Sequence, residues 1–312
     1  MDSQSAVGDI TLPREKVLLI GLGEIGHTLF SLYNEKKDVF STFGIDLDET
    51  KMRKLDQEWS KVPPQVDTLQ VALPCGNPDR FAEIIADYVD KYRPKLAIIN
   101  STVPPGTTLI VAEKCHCEVA HSPARGVHIT AEHMVWEMKR WPKYVGGATP
   151  AAGEMAKAHF EKLGLTVKVL KSCRETELAK IFETTYRAWM IVCFQEMHRI
   201  ARSNGADFNE AVDFLEDTHR QRLDRPIMFP GYIGGHCLIP NTELLLKTYD
   251  SDMLRLILES NEKRKEEMKN PEIKAEAEKV AKRAEKLQKD LTGEKNLVLP
   301  QSRGETRLNC DS

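Results

Sequence analysis

The sequence predicts an α/β fold: a doubly wound parallel sheet, then a long central helix and a small helical domain. Three observations predict it. The stretch KVLLIGLGEIGHTLF, Lys16 to Phe30, runs from an apolar segment suited to a strand buried on both faces, through three glycines, into a helical pattern. Short apolar runs then alternate with helical segments up to about Lys171, the pattern of a parallel sheet covered on both sides. From Arg174 to about Asn204 apolar residues recur at helical spacing, and Gly205 ends the run.

The first turn carries the most chemistry. Gly21 permits the tight turn, Gly23 lets the backbone approach a pyrophosphate, and Gly26 lets the helix pack on the strand; Glu24 and Ile25 complete the loop. Free N–H groups at the helix start would face the phosphates. About 20 residues on, Asp46 ends a second apolar run (Val39 to Ile45), where a carboxylate accepts hydrogen bonds from a ribose 2′-hydroxyl and repels a 2′-phosphate. The motif is therefore Rossmann-like and the expected cofactor is NAD.

Composition narrows the rest. The 312 residues are 41% hydrophobic with a formal net charge of -3 and no overall basic field, so nucleic acid and anionic membranes are not expected partners. No apolar run reaches the roughly 18 residues a membrane span needs, and MDSQSAVGDITLPRE has no signal-peptide pattern, so a cytoplasmic location is expected. Seven scattered cysteines suit reduced thiols. Cys115, His116, Cys117 and His121 raise a metal site, but CxC lacks a second pair and the segment approaches a strand, so no metal is expected.

Further strands are expected at Thr68–Leu73, Leu96–Ile99, Val119–Pro123, Tyr144–Gly147 and Leu165–Leu170, with helices at Glu49–Trp59, Phe81–Tyr92 and Ala151–Leu163. Ligands of such a sheet sit at the carboxyl ends of its strands, which points to Pro74, Ser101 and Thr102 as cofactor contacts. The long helix, about 45 Å at 1.5 Å per residue, suits packing against a second subunit; a helix bent around its own core is the alternative. Phe208–Leu215 and Glu243–Leu258 follow as helices, the second after the glycine-rich FPGYIGGHCLIPN. From Glu262 the chain is dense in Lys and Glu and suits a solvated helix with a disordered end. The expected domains are 14–171 (NAD-binding), 172–260 (central, dimerising, carrying the Cys loop) and 261–312 (charged helical or disordered tail).

Five segments in this order resemble the nucleotide-sugar 6-dehydrogenases, the UDP-glucose/GDP-mannose dehydrogenase family: GLGEIG with Asp46, NSTVPPGTT at 100–108, HSPAR at 121–125, ETELAKIFETTYRA at 175–188 and PGYIGGHC at 230–237. The resemblance implies an NAD domain, a dimer-forming central helix and oxidation of a sugar's primary alcohol by two hydride transfers. It implies Cys237 as the nucleophile that captures an aldehyde as a thiohemiacetal, Lys180 as the cation stabilising developing negative charge, and Thr102 as the holder of a water or substrate hydroxyl.

Departures from the family pattern bear on later steps. The glutamate of its SPE sequence is Ala124 here, followed by Arg125; its asparagine four residues after the lysine is Thr184; its aspartate four residues after the cysteine is Asn241. The glycine loop is one residue longer, and the charged tail stands where the family has a nucleotide-gripping domain. His121, His128 and His236 are candidate substitute bases. The expected function is an NAD-dependent oxidoreductase acting on a small sugar-like substrate, with a nucleotide sugar as one candidate; the alternative is a non-catalytic NAD-binding or nucleotide-sensing dimer.

Overall fold

The computed structural model describes residues 13–126 and 130–293. The chain divides into two compact units, Met1–Lys180 and Ile181–Ser312.

In the first unit, β1 (Glu15–Ile20), α1 (Glu24–Asn34), β2 (Phe40–Ile45), α2 (Glu49–Lys54), β3 (Thr68–Val71), α3 (Pro78–Tyr92) and β4 (Leu96–Ile99) alternate. They are followed by α4 (Thr107–Lys114), β5 (Glu118–His121), α5 (Ala131–Arg140), β6 (Lys143–Gly147), α6 (Pro150–Lys162) and β7 (Val167–Val169). The sheet order is β2-β1-β3-β4-β5-β6-β7. Because β2 and β3 flank β1 on opposite sides, the order reverses at β1/β3, and the crevice at the carboxyl ends of those strands is the ligand position of such folds.

Why the central strands form is plain from their burial. Val17 to Ile20, Leu69, Val71 and Leu96 to Ile99 are all 2% exposed or less, as strands covered by helices on both faces require. One pairing departs from the expected parallel sheet. β5 and β6 run antiparallel, with His121 opposite Gly146 and Ala120 opposite Gly147, and β7 then follows β6 in parallel. Two helices had no sequence signal strong enough to mark them, α4 and α5. α2 is shorter than expected, because Leu55 and the positive φ of Asp56 end it.

The first unit also buries a polar seam. Glu15 Oε1 accepts from His159 Nδ1 at 2.6 Å, His159 Nε2 meets the Tyr33 hydroxyl at 2.5 Å, and Gln70 donates to that hydroxyl at 2.8 Å. Gln70 in turn accepts from Asn100 at 2.7 Å. Lys162 and Thr68 also bond Glu15, and these partners hold its carboxyl down at about 2 against the opposing effect of burial.

The long helix α7 (Cys173–Ser203) matches the expected element within a residue at each end. In the second unit its later turns are followed by α8 (Phe208–Arg222), α9 (Leu238–Thr248), α10 (Asp252–Glu267) and α11 (Pro271–Thr292). The single apolar helix expected over Glu243–Leu258 is two, α9 and α10, separated at Tyr249–Ser251. The Lys- and Glu-rich segment after Glu262 is not merely solvated. α11 buries Ala277, Val280, Ala284 and Leu287, a narrow stripe spaced 3, 4 and 3, and it contacts α8. Alanines make that stripe hard to distinguish from a surface helix by hydropathy. The expected disordered end lies outside the described residues.

Ion pairs fix these helices. Arg199 clamps Glu267 with its Nε at 2.9 Å, and Arg202 reaches Glu276 at 2.5 Å. Arg264, fully buried, donates to the Gln195 carbonyl at 2.6 Å and to His198 Nδ1 at 3.0 Å. An arginine only donates, so Nδ1 of His198 accepts and its Nε2–H points at Glu276, 2.8 Å away.

Candidate active site

The first glycine turn separates the roles of its three glycines by the space around each. Gly21 has φ +86°, and a Cβ there would lie 2.5 Å from the Ala72 carbonyl oxygen. A Cβ on Gly26 would lie 1.8 Å from the Gly21 carbonyl oxygen, so α1 seats on the turn only because that atom is missing. At Gly23 a Cβ would meet nothing within 4 Å. Packing therefore does not explain glycine at 23; an open face where a side chain would obstruct an approaching phosphate does. Glu24 is exposed and Ile25 half-buried at the start of α1.

Asp46 stands just past β2, and its carboxylate accepts from Leu22 N at 2.7 Å and Asp48 N at 2.9 Å. Two amides do not exhaust its lone pairs, so it retains capacity for ribose hydroxyls. Lys51 approaches it at 3.6 Å from the exposed side.

Across the switch point lies the 100–108 loop. Asn100 is buried, Ser101 and Thr102 are half-buried, and the Ser101 hydroxyl has no hydrogen-bond partner although the atom is buried. An orphaned hydroxyl costs about 1–3 kcal/mol, which a bound polar group would recover. Pro74, past the end of β3, is exposed. The open Gly23 face, the unsaturated Asp46 carboxylate and the orphaned Ser101 hydroxyl together fit a dinucleotide.

Two buried side chains on the first turn of α7 grip the far side of this loop, and sequence reasoning missed both. Glu177, 0% exposed, accepts from Gly106 N at 2.6 Å, Thr108 N at 2.8 Å and Thr108 Oγ1 at 2.6 Å, at the start of α4. Burial raises its carboxyl and these donors oppose the rise. Charge-assisted bonds of about 1.5–3 kcal/mol each are what such a burial needs. Thr176 meets His121 Nδ1 at 2.8 Å, and His121 Nε2 meets the Ser101 carbonyl at 3.0 Å. A carbonyl only accepts, so Nε2 carries the proton and Nδ1 is an acceptor for the Thr176 hydroxyl, whose one proton is shared with the Cys173 carbonyl 2.9 Å away. Burial above all pushes His121 down to about 3, with Lys143 and Lys180 adding to it. His121 is thus held neutral with both nitrogens occupied and is no general base. A glutamate on the stripe Cys173, Glu177, Ile181, spaced by four among apolar neighbours, was the available signal.

Lys143 is the second missed residue class, a buried cation. It opens β6 and donates to the Ser122 carbonyl at 2.7 Å, the Pro123 carbonyl at 3.2 Å and Asn100 Oδ1 at 3.3 Å, joining the HSPAR and NSTVPPGTT loops. Burial, helped by Lys180, pushes it down to about 7. Lys180 itself is half-buried on α7, one turn beyond Glu177. Ala124 is 6% exposed, and its N–H reaches the Asn100 carbonyl at 3.3 Å.

In the second unit Cys237 is half-buried at the N-cap of α9, where the free amides of the first turn favour negative charge. Asn241, one turn later, donates to Thr184 Oγ1 at 3.0 Å, and both are 8% exposed. The two departures from the family pattern therefore meet as a neutral pair. Beside them the Thr185 hydroxyl is buried without a partner. His236 is exposed, and His128 lies outside the described residues. Among the described residues no three His, Cys, Asp or Glu side chains group as a metal site would need, and no helix is long and apolar enough to cross a membrane.

Residues 174–263 match the central domain of the UDP-glucose/GDP-mannose dehydrogenase family. The chain is similar to nucleotide-sugar dehydrogenases over this and further segments. It is 25% identical over 287 residues to the UDP-N-acetyl-D-mannosamine dehydrogenase of Methanocaldococcus jannaschii, covering 80% of this chain and 65% of that protein. The enzyme of the same name from Pyrococcus horikoshii matches at 26% identity over 59% of this chain and 45% of its own length. The chain thus spans between about half and two thirds of these relatives. A solved UDP-glucose dehydrogenase from Pyrobaculum islandicum shares the fold, with a TM-score of 0.64 at 17% identity, covering 83% of this chain and 70% of that one.

Proposed function

We propose that this protein is an NAD-dependent dehydrogenase that oxidises an alcohol of a sugar-like small molecule, with a nucleotide sugar as the first candidate. The observation that carries it is the turn after β1, where Gly23 faces open space while Gly21 and Gly26 are packed, with Asp46 bonded to Leu22 between them. Gly21, Gly23, Glu24, Ile25 and Gly26 hold the pyrophosphate, Asp46 the adenosine ribose, and Pro74, Ser101 and Thr102 the nicotinamide half. Bound NAD supplies the hydride acceptor.

The catalytic roles follow from the chemistry of three side chains. Lys180 stabilises the oxygen that becomes negative as hydride leaves, Thr102 orients the hydroxyl, and Cys237 captures the resulting aldehyde at a helix end that favours the adduct's charge. The neutral Thr184–Asn241 pair and the buried Ala124 supply no carboxylate for thioester hydrolysis, which favours a single two-electron oxidation. The working form is a homodimer.

The test is NADH formation at 340 nm from a panel of UDP- and GDP-sugars and their free sugars. Turnover with one of them, reduced at least about 100-fold in Lys180→Ala, is the expected result. The second reading, a non-catalytic NAD-binding dimer, draws on the same neutral pair. It is favoured if NAD binds, no alcohol is oxidised, and Cys237 reacts with iodoacetamide no faster with NAD than without.

A further inference from the structure

We infer that Glu177 and Thr176 are positioning residues that hold the Ser101–Thr108 loop in the shape that receives the nicotinamide half of the dinucleotide. This role rests on the proposed dehydrogenase reading.

The argument starts from the sheet order. Asp46 follows β2 and the glycine turn follows β1, so an adenosine on Asp46 and a pyrophosphate on the turn leave the other half of the dinucleotide to run the opposite way. That direction leads over the ends of β3 and β4, two strand spacings or about 10 Å from β1. The loop leaving β4 begins at Asn100 and ends at the N-terminus of α4, and it carries Ser101, with its orphaned hydroxyl, and Thr102.

This loop is held at both ends from one turn of one helix. At its beginning, the Ser101 carbonyl accepts from His121, whose other nitrogen takes the Thr176 hydroxyl. At its far end, Glu177 accepts from Gly106 N, Thr108 N and Thr108 Oγ1. Gly106 has φ +95° and open space around it, so steric packing does not fix its conformation. The carboxylate does. All four polar side chains, Thr108, His121, Thr176 and Glu177, are 0% exposed, so water cannot replace a lost partner. Glu177 also sits one helical turn before Lys180, so the same contact sets the register of the lysine against the loop that bears Thr102.

Both residues are 0% exposed behind the loop, and that makes the role separable from direct binding. ADP engages only the glycine turn and Asp46, whereas NAD also needs the loop. In the full chain, Glu177→Gln replaces one of the two acceptor oxygens by an amide NH₂ that faces a donor, Gly106 N or the Thr108 pair, and Thr108→Val removes one donor with little change of shape. By calorimetric titration, Glu177→Gln weakens NAD at least tenfold and leaves ADP within twofold of the wild type. Thr108→Val shifts NAD in the same direction by a smaller factor. Hydrogen exchange at the amides of residues 106–110 quickens at least tenfold in Glu177→Gln.

Unchanged NAD affinity in Glu177→Gln overturns the role, and so does an equal loss of NAD and ADP, which marks general collapse. A wild type that binds neither ligand overturns the dinucleotide reading and this role with it, and is told apart by the wild-type titration alone.

Discussion

Gly23 and Gly26 make opposite predictions although both belong to one motif. Gly26→Ala forces a methyl to within 1.8 Å of the Gly21 carbonyl oxygen and costs about 1–3 kcal/mol of stability, read as a lower urea midpoint. Gly23→Ala meets no atom within 4 Å, leaves the midpoint unchanged and weakens NAD binding by titration. Lys143 gives a pH signature. Its folded-state value near 7 lies below the roughly 10.4 of an unfolded lysine, so between those pH values the unfolded chain holds the extra proton. Stability from this group therefore rises with pH across that window. Cys75 and Cys173, pushed up to about 11 chiefly by burial, pull the other way. The wild-type curve minus that of Lys143→Met isolates the lysine, and the difference should rise from pH 7 to pH 10. The glycines and Asp46 were legible because their chemistry depends on local spacing. Glu177, Thr176 and Lys143 were not, because a buried polar or charged group has meaning only through partners about 70, 55 and 20 residues away.

At the scale of elements, α7 carries the clearest exposed apolar face among the described residues of the second unit. Phe182, Tyr186 and Ile200 are 54%, 64% and 54% exposed, and with half-buried Trp189 and exposed Cys193 they fall on one face at 3.6 residues per turn. Such a face suits a second subunit. Phe182→Lys combined with Tyr186→Glu should weaken self-association at least about 100-fold, or about 2.7 kcal/mol, by sedimentation velocity. A monomeric wild type would refute the homodimer. The position of α7 was legible from its apolar recurrence. The division of α9 from α10 was not, since Tyr249, Asp250 and Ser251 include no glycine or proline. α11 was underrated for a related reason, its buried stripe being mostly alanine and its charge largely engaged, as where Arg283 bonds Glu216 and Asp213.

For the molecule as a whole, a ligand that binds only the native state raises its stability by mass action. NAD at 100 times its Kd should add about 2.7 kcal/mol and raise the melting temperature, while NADP at the same concentration, facing Asp46, should raise it less. Equal shifts would remove the NAD preference. The sheet that frames this site was readable from the alternation of runs up to β5; beyond it, nothing in the apolar run marks β6 as entering from the other direction, because strand propensity carries no polarity. That inversion has an outcome for how such a site is built. Parallel strands deliver their last residues to the ligand edge, fixed by everything that precedes them in the sheet. An inverted strand delivers its opening residue there, separated by two residues from the end of α5. The ammonium of Lys143 thus reaches the Ser122 and Pro123 carbonyls from the opening end of its strand, which no parallel strand at that place could do.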